Sequence, residues 1–506
     1  MAARQRGPTL AISFDEAPGG RNPDLRKQRP LKSGGPLLYS PITVARYWRV
    51  KFMDDTIAAI STPIGEGGIA IIRISGPRAF DVADRVFRCC RGRPSDFATH
   101  TLHMGTIGIN GDVIDQVMLT VMRAPRTYTK EDTVEINCHG GVFTARKILA
   151  LCLQNGARLA EPGEFTKRAF LNGRIDLTQA EAVMDLIRAK SDRAHIAAIH
   201  ELEGHLSAKI NAARDRLLTI LAHVEAHIDF PEDDLGPEVR EDWLRATEEL
   251  ARLAQTLLAT AREGHILRDG ISVAIVGRPN VGKSSLLNAL VGRDRSIVTP
   301  VPGTTRDTIE ECVSINGIPF RFTDTAGIRR GRGTAEQHGV NRSRKALEIS
   351  ELALIVCDLS RPFTAADTEV IDLIGTKPAI VVLNKCDLPH RLRLPSAVAA
   401  TANAVGVSAT RGDGLDDLRA KLVDLAYRGT IGTTAVDIAI NERQKQLLQS
   451  ANKYLTESHN ALATAQSLEI VSQQLRLAMD FLGEIVGKTT TDDILEHIFS
   501  RFCIGK

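Results

Sequence analysis

Short apolar runs recur along this 506-residue chain, and each one predicts a buried strand. They fall at residues 68–74, 117–122, 133–138, 271–276, 320–322 and 379–383. With a helix-like segment at residues 78–87, the first three runs predict a compact mixed α/β domain over about residues 55–170. Arg73 and Glu135 interrupt two of these strands. Such residues usually face solvent on a half-buried sheet, and a functional role is the alternative.

A helical period near 3.6 residues marks the segments on either side of the last three strands. One predicted face consists of Ala182, Val183, Leu186 and Ile187, and another of Leu217, Ile220, Leu221, Val224 and Ile228. Further helices are predicted at residues 243–261, 447–462 and 469–486. Because helices precede and follow these strands, we expect an α/β domain inserted into an all-α helical domain, which the close termini of a compact domain allow.

The loop at residues 277–284 directly follows the strand at 271–276 and fits the phosphate-binding pattern G-x-x-x-x-G-K-[ST] at every fixed position. A helix-like run begins at Ser285, so strand, loop and helix follow in the order that this motif requires. Glycines allow the N–H groups of such a loop to converge on phosphate oxygens. Lys283 would reach the β- and γ-phosphates, and the Ser284 hydroxyl would bind Mg²⁺.

The segment Asn-Lys-Cys-Asp at residues 384–387 follows the strand at 379–383 and indicates which base is bound. The Asp387 carboxylate can accept two hydrogen bonds from guanine, at N1–H and the 2-amino group, whereas adenine would leave it unpaired. Ser408, Ala409 and Thr410 follow another short strand and suit a loop whose backbone contacts the guanine oxygen. Guanine is therefore the expected base.

Two further segments complete the predicted nucleotide site. Asp324 follows the strand at 320–322 and would hold the magnesium shell, while the Gly327 N–H would face the γ-phosphate. Residues 303–307 lie where a switch segment belongs, and Thr305 would supply a second hydroxyl to Mg²⁺. Five elements in this order predict a GTPase domain.

One position departs from the common GTPase pattern, because Ile328 stands where many GTPases have the glutamine that orients the attacking water. Either hydrolysis is very slow or another group positions the water. The downstream candidates are Arg329, Arg330, Arg332, Glu336, Gln337 and His338. The residues alone leave this choice open, and a solvated arginine loop is the alternative interpretation.

The composition, with 43% hydrophobic and 25% charged residues, is that of a globular protein, and the length predicts about three domains. No apolar run approaches the roughly 20 residues of a membrane helix. The eight cysteines show neither C-x-x-C pairing nor metal-ligand spacing. We therefore expect reduced thiols in a cytosol-like compartment.

The net charge of +3 conceals a basic N-terminal segment. Residues 1–52 contain ten Lys and Arg against three Asp and Glu, so the segment carries +7. It is rich in Pro and Gly and has no apolar period, and we expect a disordered extension. A transit peptide is one alternative, although the prolines would break its amphipathic helix. The favoured alternative is a true start at Met53, where the first ordered pattern begins.

These features together resemble the MnmE (TrmE) family of tRNA modification GTPases over about residues 54–506. The specific matches lie at residues 55–57, 65–68, 73–76, 161–166, 168–173 and 502–506, the last being Phe-Cys-Ile-Gly-Lys. The resemblance implies an α/β multidomain fold in which a P-loop GTPase domain is inserted into an all-α helical domain and preceded by an α+β folate-binding domain. The implied divisions are an extension at 1–52, a folate domain at 53–172, a helical domain at 173–268 and 431–506, and a G domain at 269–430.

The resemblance also implies a reaction. With an FAD-dependent partner, the family forms the carboxymethylaminomethyl group at C5 of wobble uridine, position 34, in certain tRNAs, and a tetrahydrofolate derivative supplies the one-carbon unit. The family's folate contacts correspond to Arg73, Glu135, Arg174 and Lys506. Arg174 stands where lysine is often found, which keeps the charge and changes its geometry. Cys503 corresponds to the family's functionally implicated C-terminal cysteine.

In the family, K⁺ takes the place of an arginine finger, and the G domains dimerise across it. The implied K⁺ ligands are Asn280, Thr299, the Val301 carbonyl and Thr304, and the implied Mg²⁺ ligands are Ser284 and Thr305. Glu336 aligns with the water-orienting glutamate, so Glu336 and Lys283 are the implied catalytic residues. The implied GTP-binding residues are Asn280, Val281, Gly282, Lys283, Ser284, Ser285, Thr299, Pro300, Val301, Pro302, Gly303, Thr304, Thr305, Asp324, Thr325, Ala326, Gly327, Asn384, Lys385, Asp387, Ser408, Ala409 and Thr410.

The implied partners are a second copy of the chain, the FAD-dependent protein in a heterotetramer, and tRNA, with no membrane. We expect a cytoplasmic protein, or a mitochondrial one if residues 1–52 are a transit peptide. Two rival functions are a ribosome-assembly GTPase and a non-enzymatic switch in which GTP binding only controls assembly. The first rival would not explain residues 55–170 or the terminal cysteine motif.

Overall fold

The computed structural model of the chain describes residues 55–109, 111–230, 236–292, 310–324, 344, 346–393, 395, 403–427 and 438–506. The predictions for residues 1–52 lie outside this part of the chain. None of the helices in these ranges is long and apolar enough to cross a membrane.

The first part of the described chain forms a seven-stranded sheet with helices. Its elements are β1 (Ile57–Ile60), β2 (Ile69–Ser75), α1 (Ala79–Val86), β3 (Phe87–Arg88), β4 (Thr101–Ile109), β5 (Asp112–Met122), β6 (Thr133–His139), α2 (Val142–Gln154), β7 (Arg158–Leu159) and α3 (Glu164–Leu171). The strand order is β3-β4-β5-β6-β2-β1-β7. Neighbouring strands are antiparallel except β1 and β7, which are parallel.

Side-chain alternation along this sheet separates a core face from a second face. In β6, Val134, Ile136 and Cys138 are buried in the core that includes α1 and α2, while Glu135 lies between them and points the other way. The predicted strands at 68–74, 117–122 and 133–138 are present as β2, β5 and β6. The sequence did not predict β4, because its apolar positions are interrupted by glycines and form no continuous run.

A helical region follows the sheet. It contains α4 (Leu177–Arg188), α5 (Asp192–Leu202), α6 (His205–Asp229), α7 (Pro237–Ala259) and α8 (Ala261–Asp269). The helix predicted to begin at residue 243 instead starts at Pro237. Proline is favoured in the first turn of a helix, because N–H groups there have no acceptor within the helix and the lack of one costs no hydrogen bond.

A second sheet of six described strands comes next. Its elements are β8 (Ile271–Val276), α9 (Lys283–Val291), β9 (Glu310–Ile315), β10 (Ile318–Asp324), β11 (Leu352–Asp358), α10 (Ala365–Asp372), β12 (Ala379–Asn384), β13 (Asn403–Val407) and α11 (Leu415–Tyr427). The order is β13-β12-β11-β8-β10-β9, and only β9 and β10 are antiparallel. The carboxyl ends of the parallel strands therefore meet at one edge, where α/β sheets bind their ligands.

Helices then return as α12 (Glu442–Ala463), α13 (Leu468–Val486) and α14 (Asp492–Phe499). One apolar core joins α12 and α13 to the earlier helices, with Leu217 and Trp243 from before the second sheet and Leu448 and Leu482 from after it. Neither helical segment could bury this core alone. The predicted insertion of an α/β domain into a helical domain is thus confirmed.

The C-terminal segment returns to the first sheet. Ile504 forms an antiparallel bridge with Pro162, just before α3. Gly505 has a φ of 98°, and a Cβ atom there would lie 2.3 Å from the carbonyl oxygen of Ile60. Only glycine allows this close approach. The chain end that carries Cys503 and Lys506 is therefore fixed beside the end of β1.

Candidate functional site

The phosphate-binding loop joins β8 to α9, and its path depends on Gly282. This residue has a φ of 99°, in the left-handed region, and a Cβ atom there would lie 2.2 Å from Nδ2 of Asn384. Asn280 also has a positive φ, of 65°, which asparagine tolerates better than most residues. The loop therefore packs directly against the loop that carries the predicted base-recognition residues.

Lys283 reaches back across the same loop. Its Nζ donates hydrogen bonds to the carbonyl oxygens of Gly277 and Arg278, both at 2.8 Å. Those acceptors are neutral, and a phosphate oxygen would form a stronger, charge-assisted bond with the same ammonium group. Ser284 and Ser285 lie in the first turn of α9, where backbone N–H groups have no acceptor within the helix. The residues present thus fit a triphosphate and its Mg²⁺.

The Asn384 side chain connects three loops of the nucleotide site by hydrogen bonds. Its Nδ2 donates to the carbonyl oxygen of Val281 at 2.8 Å, and its Oδ1 accepts from the N–H of Ala409 at 3.2 Å. The side chain is buried, so both bonds are shielded from water. A single amide therefore sets the spacing between the phosphate loop and the loops predicted to hold guanine.

Lys385 belongs to the same network through Asp358, which the sequence did not single out. Lys385 Nζ donates to Asp358 Oδ2 at 2.6 Å and to the Asn280 carbonyl oxygen at 3.3 Å. Asp358 is fully buried at the end of β11. Burial raises the pKa of this carboxyl, but the hydrogen bonds from Lys385 and Ser360 outweigh burial and leave the pKa below its usual value. The ionised pair holds Lys385 over the phosphate loop. The sequence contains one signal for Asp358, because it is a carboxylate at the end of an otherwise apolar strand.

Asp387 carries the charge expected of a guanine acceptor. A hydrogen bond from the Ser408 hydroxyl lowers the pKa of Asp387, and Arg411 adds to the effect with its Nε 3.9 Å away. The carboxylate is therefore ionised at neutral pH. Ser408 Oγ also lies 3.2 Å from Thr410 Oγ1, so the loop at 408–410 is joined to Asp387. An ionised carboxylate in this position can accept two N–H groups of guanine.

Part of the predicted nucleotide site lies outside the described residues. Asp324 ends β10 opposite Ile275 of β8, which places its backbone at the ligand-binding edge of the sheet. The predicted site residues that fall outside the described ranges are Thr299, Pro300, Val301, Pro302, Gly303, Thr304, Thr305, Thr325, Ala326, Gly327 and Glu336. Ile328 and the other candidates for positioning water fall outside them as well.

A second group of predicted residues lies on the first sheet. Arg73 and Glu135 are directly opposite each other on β2 and β6, and Arg73 Nη2 lies 2.8 Å from Glu135 Oε1. Their side chains are 19% and 21% exposed, so they form a largely covered ion pair and are not solvent-facing residues. The guanidinium carbon of Arg73 is 5.6 Å from the centre of the Tyr128 ring, and that of Arg174 is 4.9 Å from it. Tyr128, which the sequence analysis did not single out, is therefore adjacent to two of the four predicted folate contacts, and Arg73 connects it to a third, Glu135.

The fourth predicted contact comes from the chain terminus. Lys506 follows Gly505, whose backbone lies against Ile60, and Ala59 on the same strand pairs with Arg73. The structure thus brings the Lys506 backbone to the part of the sheet that carries the Arg73–Glu135 pair. Cys503 is exposed, and its carbonyl oxygen accepts from the Gly163 N–H at 3.4 Å.

None of the eight cysteines, which all lie within the described residues, is in a disulfide. Burial raises the pKa of Cys138 and of Cys357 to about 11 and that of Cys152 to about 12. These three thiols are therefore protonated and unreactive at neutral pH.

Comparison with known proteins agrees with this arrangement. The profile described as "MnmE helical domain" matches residues 177–503, and the one described as "GTP-binding protein TrmE N-terminus" matches residues 56–174. Proteins named tRNA modification GTPase MnmE are similar to nearly all of the chain. The one from Geobacillus kaustophilus is 47% identical over 458 residues, covering 89% of this chain and 99% of the relative. The one from Geobacter sulfurreducens is 46% identical, covering 90% and 100%.

Solved structures match a smaller part. A structure of Era from Aquifex aeolicus, bound to GDP and AlF4⁻, is 29% identical and covers 36% of this chain and 66% of its own, with a TM-score of 0.24. So low a score adds nothing to the assignment, which rests on the two profiles and on the full-length relatives. The chain belongs to the MnmE family of tRNA modification GTPases.

Proposed function

We propose that this GTPase of tRNA modification acts with an FAD-dependent partner to form the carboxymethylaminomethyl group at C5 of wobble uridine, using a tetrahydrofolate one-carbon unit. The observation that carries the proposal is that one chain holds two separate groups of residues that suit two different ligands. One is the nucleotide site organised by Asn384, and the other is the Arg73–Glu135 pair on the first sheet. A GTPase that acted only as an assembly switch would need the first site alone.

In the nucleotide site, Asp387 would select guanine, and Lys283 would exchange its two carbonyl acceptors for phosphate oxygens. Ser284 and Thr305 would hold Mg²⁺, which neutralises charge on the phosphates. Glu336 would orient the attacking water, since Ile328 has no polar side-chain atom. Asp387, Lys283 and Glu336 thereby divide base selection, phosphate binding and water positioning among them.

Potassium dependence is the second part of the proposal, with Asn280, Thr299, the Val301 carbonyl and Thr304 as ligands. All four supply hard oxygen donors, which suit K⁺. The cation would add positive charge beside the phosphates where no arginine finger is assigned. GTP turnover should therefore be much faster in KCl than in NaCl, and Asn280→Ala should remove the difference while nucleotide affinity is largely kept. Equal turnover in the two salts would rule this part out.

The Arg73–Glu135 pair is proposed as the folate site, with Arg174 and Lys506. A carboxylate such as Glu135 can accept the amino and ring N–H groups of a pterin, and the cations suit the carboxylates of the glutamate tail. Calorimetry on the full chain with 5-formyltetrahydrofolate should give binding that Arg73→Ala weakens. Absence of heat with folded protein would reject the folate site and leave the GTPase intact.

An exposed apolar strip supports the proposed homodimer. Met104 and Met118 are opposite each other on β4 and β5, and Leu102 lies on the same face. Leu102 and Met104 are 54% and 61% exposed, which is unusual for neighbouring large apolar residues. Met104→Asp should lower the molar mass measured by light scattering from that of two chains to that of one. An unchanged mass would place the dimer contact elsewhere.

Reconstitution tests the complete proposal. The purified chain and the FAD-dependent partner are incubated with unmodified tRNA, GTP, KCl, a reduced folate and glycine as a source of the aminomethyl nitrogen. Mass spectrometry of the digested tRNA should then detect the new nucleoside only when all components are present. If the nucleoside forms without this chain, or never forms with active partner, the proposed reaction is wrong.

A further inference from the structure

A small cavity beside the proposed folate site carries positive charge with no carboxylate in its lining. It has a volume of about 410 Å³ and is lined by three cationic side chains, Arg126, Lys130 and Arg174, together with Met122, Tyr128 and neighbouring residues. Cationic side chains normally gather acidic neighbours, because unneutralised like charges repel. The lining is thus arranged for an anionic ligand.

Within the described part of the chain, no carboxylate pairs with the cations of this cavity. Among the described residues, neither Arg126 nor Arg174 forms an ion pair, and Lys130 Nζ donates only to the carbonyl oxygens of Asn172 and Gly173, at 3.2 and 2.8 Å. The carboxylates on the same turn are directed to other partners. Glu131 binds Arg168 and Ser75, and Asp132 accepts from the Ala124 N–H.

The cavity is also held in place before any ligand binds. Asn172 Nδ2 donates to the Thr129 carbonyl oxygen at 2.6 Å, so the segment that carries Arg174 is fastened to the turn that carries Lys130. The Tyr128 hydroxyl lies 2.9 Å from Thr166 Oγ1, which fixes the ring that forms one wall. Lys130 and Arg174 are therefore already positioned by their contacts, which lowers the entropic cost of binding an anion.

Tyr128 sets the relation between the cavity and the folate site. Its ring is close to two guanidinium groups, that of Arg73, which is paired with Glu135, and that of Arg174, which lines the cavity. A pterin bound at Glu135 would therefore direct its glutamate tail past Tyr128 toward Arg174. Arg126 and Lys130 line the same cavity as Arg174, where they could contact further carboxylates.

We propose that this cavity binds the γ-linked polyglutamate chain of a folate, with Arg126 and Lys130 selecting polyglutamylated over monoglutamyl tetrahydrofolate. This inference rests on the proposed folate site and adds the chemical class of the ligand. Each added glutamate contributes one carboxylate, and the cavity offers two cations that the first glutamate does not require. Arg126 is exposed and Lys130 is partly buried, so each contact should contribute about threefold, and we expect a combined preference of about tenfold.

The test is calorimetry on the full chain with 5-formyltetrahydrofolate that carries one or five γ-linked glutamates. The longer ligand should bind about tenfold more tightly, and the ratio should shrink as salt is raised. Arg126→Ala should reduce the ratio to about threefold, the part that Lys130 still contributes, and leave the affinity for the monoglutamate unchanged. The Arg126 side chain makes no described contact that supports the fold, so this variant should remain folded. Arg91→Ala, an exposed arginine on another loop, is the matched control and should change neither affinity.

Several outcomes would overturn the inference. If the unaltered chain binds the two ligands with affinities within twofold of each other, the cavity does not bind the polyglutamate chain. A full preference retained in Arg126→Ala would assign the selection to other residues. If Arg126→Ala weakens tRNA binding while the ratio for the unaltered chain is near one, the cavity serves nucleic acid instead. If neither ligand binds to folded protein, the folate site itself is wrong, and this inference fails with it.

Discussion

Arg268 Nη2 donates a hydrogen bond to the carbonyl oxygen of Ala439 at 2.5 Å, and this bond joins the two chain connections of the nucleotide-binding domain. Arg268 lies in the last turn of α8, just before β8, and Ala439 lies just before α12, where the chain returns. The same guanidinium pairs with Asp185 on α4 and with Glu201 on α5, the latter at 2.7 Å. Both connections are therefore fastened to the helical domain by a single side chain.

Replacing Arg268 should destabilise this junction. Arg268→Met keeps most of the side-chain volume but leaves Asp185 and Glu201 buried without their cation. Removing one partner of a buried ion pair costs about 3–5 kcal/mol, part of which proton uptake by the two carboxyls would relieve. Calorimetric unfolding should show a clear loss in thermal stability. The control is Arg252→Met, whose partner Glu248 is exposed, and it should cost less than about 0.5 kcal/mol. An equal loss of thermal stability in the two variants would contradict the proposed role of Arg268 at the junction.

Glu201 should make stability depend on pH near neutrality. Burial raises the pKa of Glu201 to about 7, although Arg268 opposes this effect. In the unfolded chain the carboxyl titrates near 4.5, so between these values the folded state holds a proton that the unfolded state has lost. The contribution of this group to stability therefore falls as pH rises through that window.

Glu201→Gln removes the titration while keeping a polar side chain in place. The stability of this variant relative to the unaltered chain should increase from about pH 5 to about pH 8. The measurement is the difference in melting temperature between the two proteins at each pH. A difference that is constant across this range would show that Glu201 does not titrate there.

The junction also shows what the sequence could not predict. The phosphate loop and residues 384–387 are contiguous motifs with fixed chemistry, so the sequence alone was enough to propose their roles. The insertion of their domain between helices was predicted correctly. The junction depends on residues far apart in the chain: Gln444 donates to both Glu181 and Glu201, across 263 and 243 residues. No periodicity or motif marks such a contact.

The residues of the first sheet could be predicted from the sequence only in part. Arg73 and Glu135 were identifiable as charged residues within apolar strands, but their ion pair depends on the register of β2 against β6, which strand patterns do not fix. Tyr128 lies on a turn, where it has no periodic signal, and only the fold brings its ring close to both Arg73 and Arg174.

Nucleotide selectivity should depend on the charge of Asp387. Asp387→Asn replaces an acceptor of two N–H groups by an amide, which can donate to the 2-oxo group of xanthine. Loss of a charged hydrogen bond costs about 1.5–3 kcal/mol, so GTP affinity should fall roughly 10- to 150-fold while affinity for XTP rises. Fluorescent-nucleotide titration measures both. Asp416→Asn, at an exposed position, is the control. Unchanged selectivity would remove Asp387 from base recognition.

Glu336 should affect the rate of hydrolysis and leave binding nearly unchanged. A water-positioning contact forms only as the γ-phosphate is attacked, so its loss lowers kcat without weakening the ground state. Glu336→Ala should reduce kcat by about 10²–10³, equivalent to 2.7–4 kcal/mol. Single-turnover hydrolysis gives the rate, with Glu348→Ala as an exposed control. A rate within about threefold of the unaltered chain would exclude this role and direct attention to Gln337 and Arg329.

Analysis of tRNA nucleosides tests the central claim most directly. Total tRNA from cells that lack this gene is digested and analysed by mass spectrometry, alongside tRNA from the same cells carrying either the intact gene or Lys283→Ala. The account predicts that the carboxymethylaminomethyl uridine disappears with the gene, returns with the intact copy and stays absent with Lys283→Ala, which cannot hold the triphosphate. An undiminished amount of this nucleoside in cells without the gene would contradict the account.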